Sequence, residues 1–138
     1  MLEITAGVLQ EMFSHCEQDF PNEACGYLVG RSGVATKAIP MENVHASPSS
    51  YAMNTAGQLQ VQRQLRTEGL EHLAIYHSHV ATEAVPSRRD IDQATAVQEF
   101  FDGYYVLVTL KEKGRPCARA FRIRDFHVTE EELQEVSG

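Results

Sequence analysis

The feature that most constrains this chain is a short apolar run that turns polar at one end, Leu73-Ala74-Ile75-Tyr76-His77-Ser78-His79. Its length and β-forming residues predict a buried strand. Side chains alternate across a strand, so His77 and His79 share one face and Ser78 takes the other. At about 3.3 Å of rise per residue the two imidazoles stand roughly 7 Å apart along the backbone, close enough to converge on one ion. The fold must therefore bury the apolar end of this strand in a sheet and leave its polar end accessible.

The rest of the chain supplies both sheet and cover. Thr5 to Phe20 carries apolar residues at helical spacing, with Thr5 as N-cap and Pro21 as the stop. Ala24–Arg31 and Val34–Ile39 read as a hairpin closed by Ser32-Gly33, and Pro40–Tyr51 reads as a loop. Thr55–Leu70 reads as an amphipathic helix with Leu59 and Leu65 inward and Gly69 near its C-cap. Val80–Pro86 is a loop, and Ser87–Phe101 is a helix with Ile91, Ala94, Val97 and Phe101 on one face. Tyr104–Leu110 is a core strand, Lys111–Pro116 a turn and Cys117–Ile123 a last strand. Thr129 with Glu132 forms a capping-box pattern, which predicts a terminal helix over Thr129–Val136. Helices and strands thus mix along one chain without repeats or low-complexity tracts. The expectation is an α/β fold, a sheet flanked by helices, in a single domain over residues 1–138.

Composition narrows the partners. Hydrophobic residues make up 43% and charged residues 22% of 138, ordinary values for a folded globular chain. The net charge of −7 argues against nucleic acid as a partner. No apolar run is long enough to span a membrane, and the start, MLEITAGVLQEMF, lacks a basic segment followed by an apolar one. Three cysteines (Cys16, Cys25 and Cys117) form an odd, sparse set that fits a reduced cytoplasmic location.

Chemistry concentrates at His77 and His79. Asp90 follows after ten intervening residues, in the first turn of the next expected helix, where the loop can fold it back over the strand end. Two histidines and a carboxylate leave a fourth tetrahedral position free for water, the arrangement of catalytic rather than structural zinc, which lowers the pKa of that water to about 7. A peptidase also needs a base and an oxyanion donor. Glu23, just before an apolar strand, is the candidate base, and Ser87, three residues before Asp90, the candidate donor. Each feature alone has a plainer reading. An HxH pair is commonly two strand histidines bonded to neighbours, Ser87 and Asp90 form a capping box, and Glu23 is a solvated turn residue. His15, His45, His72 and His127 have no partner spacing.

Taken together, these residues carry a resemblance. His77-Ser78-His79, Ser87 and Asp90 read H-S-H-x7-S-x-x-D, and Glu23 to Gly30 reads E-x-C-G-x-L-x-G. This pattern resembles the JAMM (MPN+) zinc metallopeptidases, and it extends through Asn43, Ser47-Pro48 and Tyr51 to the strands after Tyr104. The family's motif usually places proline after the second histidine, where this chain has Val80. The resemblance implies a mixed, mostly antiparallel sheet flanked by helices, as in the JAMM/MPN fold (cytidine-deaminase-like). It implies zinc on His77, His79 and Asp90, with Glu23 as general base and acid and Ser87 holding the oxyanion. It further implies hydrolysis of a peptide or isopeptide bond after the C-terminal Gly-Gly of a ubiquitin-like or sulfur-carrier protein. The chain is as compact as the prokaryotic members that act on sulfur carriers, some of which release cysteine in cysteine and sulfur metabolism. An extended carrier tail could add as a strand beside Pro48–Met53, which makes Ser49, Tyr51 and Met53 the expected substrate-binding residues. The alternatives are a general deconjugating isopeptidase, a non-catalytic MPN interaction module, and a cysteine hydrolase built on Cys25. The oligomeric state is open, a homodimer included.

Overall fold

The computed structural model describes all 138 residues. In chain order they form β1 (Leu2–Thr5), α1 (Ala6–Asp19), β2 (Cys25–Arg31), β3 (Val34–Met41), α2 (Thr55–Glu68), β4 (Glu71–His79), α3 (Arg88–Ala96), β5 (Tyr104–Thr109), β6 (Cys117–Arg124), β7 (His127–Glu131) and β8 (Leu133–Val136). The eight strands make one sheet in the order β7-β6-β5-β4-β2-β3-β1-β8. Four of its pairings are antiparallel (β2 with β3 and β4, β6 with β5 and β7). Three are parallel (β1 with β3 and β8, β4 with β5). The mixed, mostly antiparallel sheet flanked by helices is as expected.

The alternation in β4 divides the core. Leu28, Ala74, Tyr76, Val106 and Ala120 face α1 and pack on Val8, Met12 and Cys16. Tyr27, Ile75, Tyr105, Leu107 and Phe121 face the other way, onto Leu65 of α2 and Ala94 of α3. Thr5 caps α1 by accepting from Val8 N–H, and Gly69 ends α2 in the left-handed region at φ 68°. The two glycines of the E-x-C-G-x-L-x-G segment have steric reasons to be there. A Cβ on Gly26 would collide with the Tyr76 ring, and one on Gly30 with the Val34 carbonyl.

Several expectations are corrected. Thr129–Val136 is not a helix. Val128 and Thr129 pair with Ile123 and Arg122 of β6, while Leu133–Val136 run parallel to Leu2–Thr5. The local capping-box pattern loses to hydrogen bonds offered by two sheet edges, and Cys117–Arg124 is consequently not the last strand. The strand Leu2–Thr5 was not anticipated. The helix after Ser87 ends at Ala96 rather than Phe101, leaving Val97 half-exposed, and Leu59 of α2 points to solvent at 55% exposure. Leu65 is buried as expected.

The βαβ unit β4-α3-β5 sets up the site. β4 and β5 run parallel, with His77 and His79 opposite Leu107 and Thr109. The chain leaves β4 at His79, and α3 begins at its carboxyl end, so the helix N-terminus stands over the two histidines.

Candidate active site

Strand alternation brings His77 and His79 to the α3 side, and the turn before α3 returns Asp90 to them. The three side chains offer ligand atoms that all lie within 4.8 Å of one another. The two Nε2 atoms are 3.2 Å apart, His77 Nε2 is 3.1 Å from Asp90 Oδ1, and His79 Nε2 is 2.9 Å from Asp90 Oδ2. Ligands on a tetrahedral zinc with bonds near 2.0 Å are about 3.3 Å apart, so this donor set fits such an ion with little adjustment. The cluster is buried: His77 is 1% and His79 6% exposed, and the Asp90 side chain 9%.

Each of the three side chains is held differently. His79 Nδ1 donates to the Glu83 carbonyl at 2.9 Å, which turns Nε2 toward the cluster. Asp90 is fixed by a reciprocal cap. Its N–H donates to Ser87 Oγ (3.1 Å), and its Oδ2 accepts from Ser87 N–H (2.9 Å). The plain reading of Ser87 and Asp90 as a capping box and the ligand reading of Asp90 therefore hold together. His77 Nδ1 is buried and has no hydrogen-bond partner. Ser78 points to the opposite face, where its Oγ accepts from Ala24 N–H at 2.8 Å.

Electrostatics follow from burial and proximity. Burial works against a charge on Asp90, but hydrogen bonds from His77 and His79 outweigh it and hold the carboxyl well below the usual range. For His79, burial opposes the charged form most, and Asp90, the Glu83 carbonyl and Glu23 together still raise its pKa. Glu23 is 6% exposed, and burial pushes it up to about 7, with His79 and Arg89 pulling the other way and Asp90 adding to the rise. It is thus not the solvated turn residue of the plainer reading. A carboxyl that titrates near neutrality can accept a proton and give it back.

The loop beyond β3 is tied to Glu23. Glu23 N–H donates to Ser47 O (2.8 Å), and Asn43 Nδ2 donates to the carbonyls of Glu23 and Ser50 (both 3.0 Å). Asn43 Oδ1 accepts from Ala52 N–H (3.2 Å), and Ala52 O accepts from Val44 N–H (2.9 Å). Residues 48–53 belong to no strand. The Ser50 carbonyl and both backbone groups of Ala52 are spent on Asn43 and Val44, whereas the N–H groups of Ser50, Tyr51 and Met53 have no partner within the chain. Ser49 lies exposed, its N–H bonded to Ser47 Oγ at 3.1 Å. The Tyr51 ring is buried and lies on His77, centroids 4.5 Å apart and 26° from parallel. An open cleft of about 600 Å³ continues from Tyr51 along His45, Arg88 and Arg89.

Cys25 is fully buried, its thiol facing the Met41 and Glu42 carbonyls at 3.8 Å, and burial pushes its pKa up to about 12. Such a thiol does not form the thiolate that a cysteine hydrolase needs. Two supporting groups escaped the sequence. The Glu83 carbonyl carries no side-chain signal. Asn43 lies in the Pro40–Tyr51 loop, and its four hydrogen bonds join backbone positions both near it and 20 residues away.

The chain matches the family of prokaryotic homologs of the JAB domain over residues 5–124, and it belongs to that family. It is 40% identical over 138 residues to a CysO-cysteine peptidase of Mycobacterium tuberculosis, covering 99% of this chain and 92% of that protein. It is 40% identical over 95 residues to a probable TtuB-protein conjugate cleaving protease of Thermus thermophilus, covering 68% of this chain and 64% of that protein. The solution structure of protein DSY2949 from Desulfitobacterium hafniense superposes with a TM-score of 0.87 at 33% identity, covering 100% of this chain and 94% of that one.

Proposed function

We propose that this chain is a zinc-dependent peptidase that cuts after the C-terminal Gly-Gly of a ubiquitin-like or sulfur-carrier protein. The favoured reaction releases cysteine from a carrier adduct. The observation that carries the reading is the convergence of His77, His79 and Asp90 beside a buried Glu23. The named activity of the mycobacterial relative supports the substrate class. In this reading the 138 residues act as one domain in the cytoplasm, and neither nucleic acid nor membrane is a partner. No helix is long and apolar enough to cross a membrane.

His77 and His79 through Nε2, and Asp90 through its carboxylate, would hold the ion. When bound, zinc supplies a Lewis acid that activates water and polarises the scissile carbonyl. Glu23 accepts the proton of the attacking water and returns it to the leaving amine as the carbon–nitrogen bond breaks. Water thereby adds hydroxyl to the Gly carbonyl carbon and hydrogen to the amine. Ser87 Oγ already accepts from Asp90 N–H, so its own hydrogen is free to donate to the oxyanion. The carrier tail lies extended along Ser49–Met53, where the open N–H groups of Tyr51 and Met53 supply strand-like hydrogen bonds.

A panel of substrates tests this. A carrier extended by cysteine beyond Gly-Gly, the same carrier in isopeptide linkage to a lysine, and an unrelated peptide are read by intact mass. Cleavage of the first in clear preference to the others supports the proposal. Preference for the isopeptide favours the general deconjugating isopeptidase, a reading to which the Thermus relative's name lends support. Inertness toward all three leaves the non-catalytic interaction module, against which the complete Glu, His, His, Ser, Asp set speaks. Replacing Met53 by Pro removes one open N–H and should raise KM about tenfold with kcat little changed, the loss of about one hydrogen bond. Met53→Ala controls for side-chain packing.

A further inference from the structure

The two histidines of the cluster are held by different means. His79 has the usual support of a metal-binding imidazole, a hydrogen bond from its remote nitrogen to a carbonyl, here that of Glu83 at 2.9 Å. His77 lacks one. It is 1% exposed and its Nδ1 has no partner, so nothing on that side fixes the rotation of the ring by hydrogen bonding. What lies against it is Tyr51, 7% exposed, with ring centroids 4.5 Å apart and planes 26° from parallel.

We propose that Tyr51 is the positioning residue for His77, and that its stacked ring does for this imidazole what the Glu83 carbonyl does for His79. The proposal rests on the metal reading of the cluster. An imidazole has one soft rotation about its Cβ–Cγ bond, and a flat aromatic neighbour restricts it to orientations that keep the planes nearly parallel. In the orientation seen, His77 Nε2 points at Asp90 Oδ1 and His79 Nε2, at 3.1 and 3.2 Å. The backbone holds Tyr51 in turn. Its carbonyl accepts from Gln93 Nε2 at 3.3 Å, and its neighbours Ser50 and Ala52 are both bonded to Asn43. The same residue offers its free N–H to the proposed tail path. Tyr51 therefore ties the placement of one ligand to the loop that the substrate would contact.

Zinc affinity, measured by competition with a chromophoric chelator, tests this without reference to turnover. Tyr51→Leu keeps an apolar side chain of similar depth but loses the plane, and should weaken zinc about 10- to 100-fold, the usual effect of losing a ligand's support. Tyr51→Phe keeps the ring and should bring the affinity back to within about threefold of wild type. On the cysteine-extended carrier, kcat should fall in the Leu variant and recover in the Phe variant, with both melting as single folded species. Unchanged zinc affinity in a folded Tyr51→Leu protein overturns the proposal. Equal losses in the Leu and Phe variants overturn it too, since they assign the effect to the hydroxyl. A wild-type chain that takes up no zinc overturns the metal reading itself, before any variant is compared.

Discussion

β4 carries a half-buried histidine near its start and a buried one near its end, and the contrast between His72 and His77 shows what makes a site. His72 and His77 both face the α2 and α3 side. An irregularity in the pairing of β2 with β4, where Leu28 meets Ala74 but Val29 meets His72, puts His72 on that face. Both rings are packed by aromatics: His72 by Tyr27 and Phe101 at 3.9 and 4.4 Å, His77 by Tyr51 at 4.5 Å. Both have one buried nitrogen without a partner. They differ in what meets the other nitrogen. His72 Nδ1 accepts from Gln62, a neutral amide, at 2.9 Å. His77 Nε2 meets a second imidazole and a carboxylate. Burial and stacking alone make a neutral core histidine. A converging carboxylate and a second imidazole make a set that can hold a cation.

The sharpest way to break this comparison is to exchange the fates of the two residues. His77→Ala should abolish stoichiometric zinc and reduce kcat/KM to background, whereas His72→Phe should retain one zinc per chain, as atomic absorption after gel filtration would reveal. If His72→Phe lost the metal while His77→Ala kept it, the contrast would fail. Next in size, Glu23→Gln leaves the three ligands in place and removes the base. Zinc content should stay at wild-type level while kcat drops about 10²- to 10⁴-fold. Full activity in this variant would sink the mechanism.

Smaller effects separate cap from chemistry at Ser87. Ser87→Ala removes the α3 cap and the proposed oxyanion donor together. About 1 kcal/mol of stability and about 10²-fold in kcat should be lost. Ser87→Asp keeps the cap without a hydroxyl donor and should restore the melting temperature but not the rate. A rate that tracks stability across both variants would leave Ser87 a cap only.

The smallest effect is one of stability at His72. Burial lowers its pKa from 6.5 to about 4, so the native state binds fewer protons there than the unfolded chain. Its contribution to stability is therefore fully present above pH 6.5 and declines as pH falls toward 4. The loss should be on the order of 2 kcal/mol, and it should be absent in His72→Phe. Urea melts at pH 7 and pH 4.5 would measure it; an acid slope identical in both proteins would contradict the assignment.

The same contrast marks what the chain reveals before it is folded. HxH spacing on a strand is a local pattern, as are S-x-x-D and E-x-C-G, so the residues that cluster, the cap and the buried carboxyl could all be read along the chain. His72 has no partner spacing in the sequence, and in the fold its Nδ1 meets a neutral amide. What could not be read depends on pairings between distant segments. Leu133–Val136 form a strand only because Leu2–Thr5 lie beside them, and the T-x-x-E pattern at Thr129 pointed to a helix instead. Leu59 matched helical periodicity yet faces solvent, because α2 rests on the sheet through Leu65. Tyr51 was read as a substrate contact from its loop. Its contact with His77 appears only once β4 and that loop are folded together.

The central claim is that His77, His79 and Asp90 hold the zinc that hydrolysis requires. The most direct measurement is activity on the cysteine-extended carrier after exhaustive chelation, followed by titration with zinc. Activity should vanish on chelation and return in proportion to zinc, reaching a plateau at one ion per chain, and a thiol alkylator should leave it intact. Activity that persists in the metal-free protein, or that the alkylator abolishes while the chelator does not, would contradict the account.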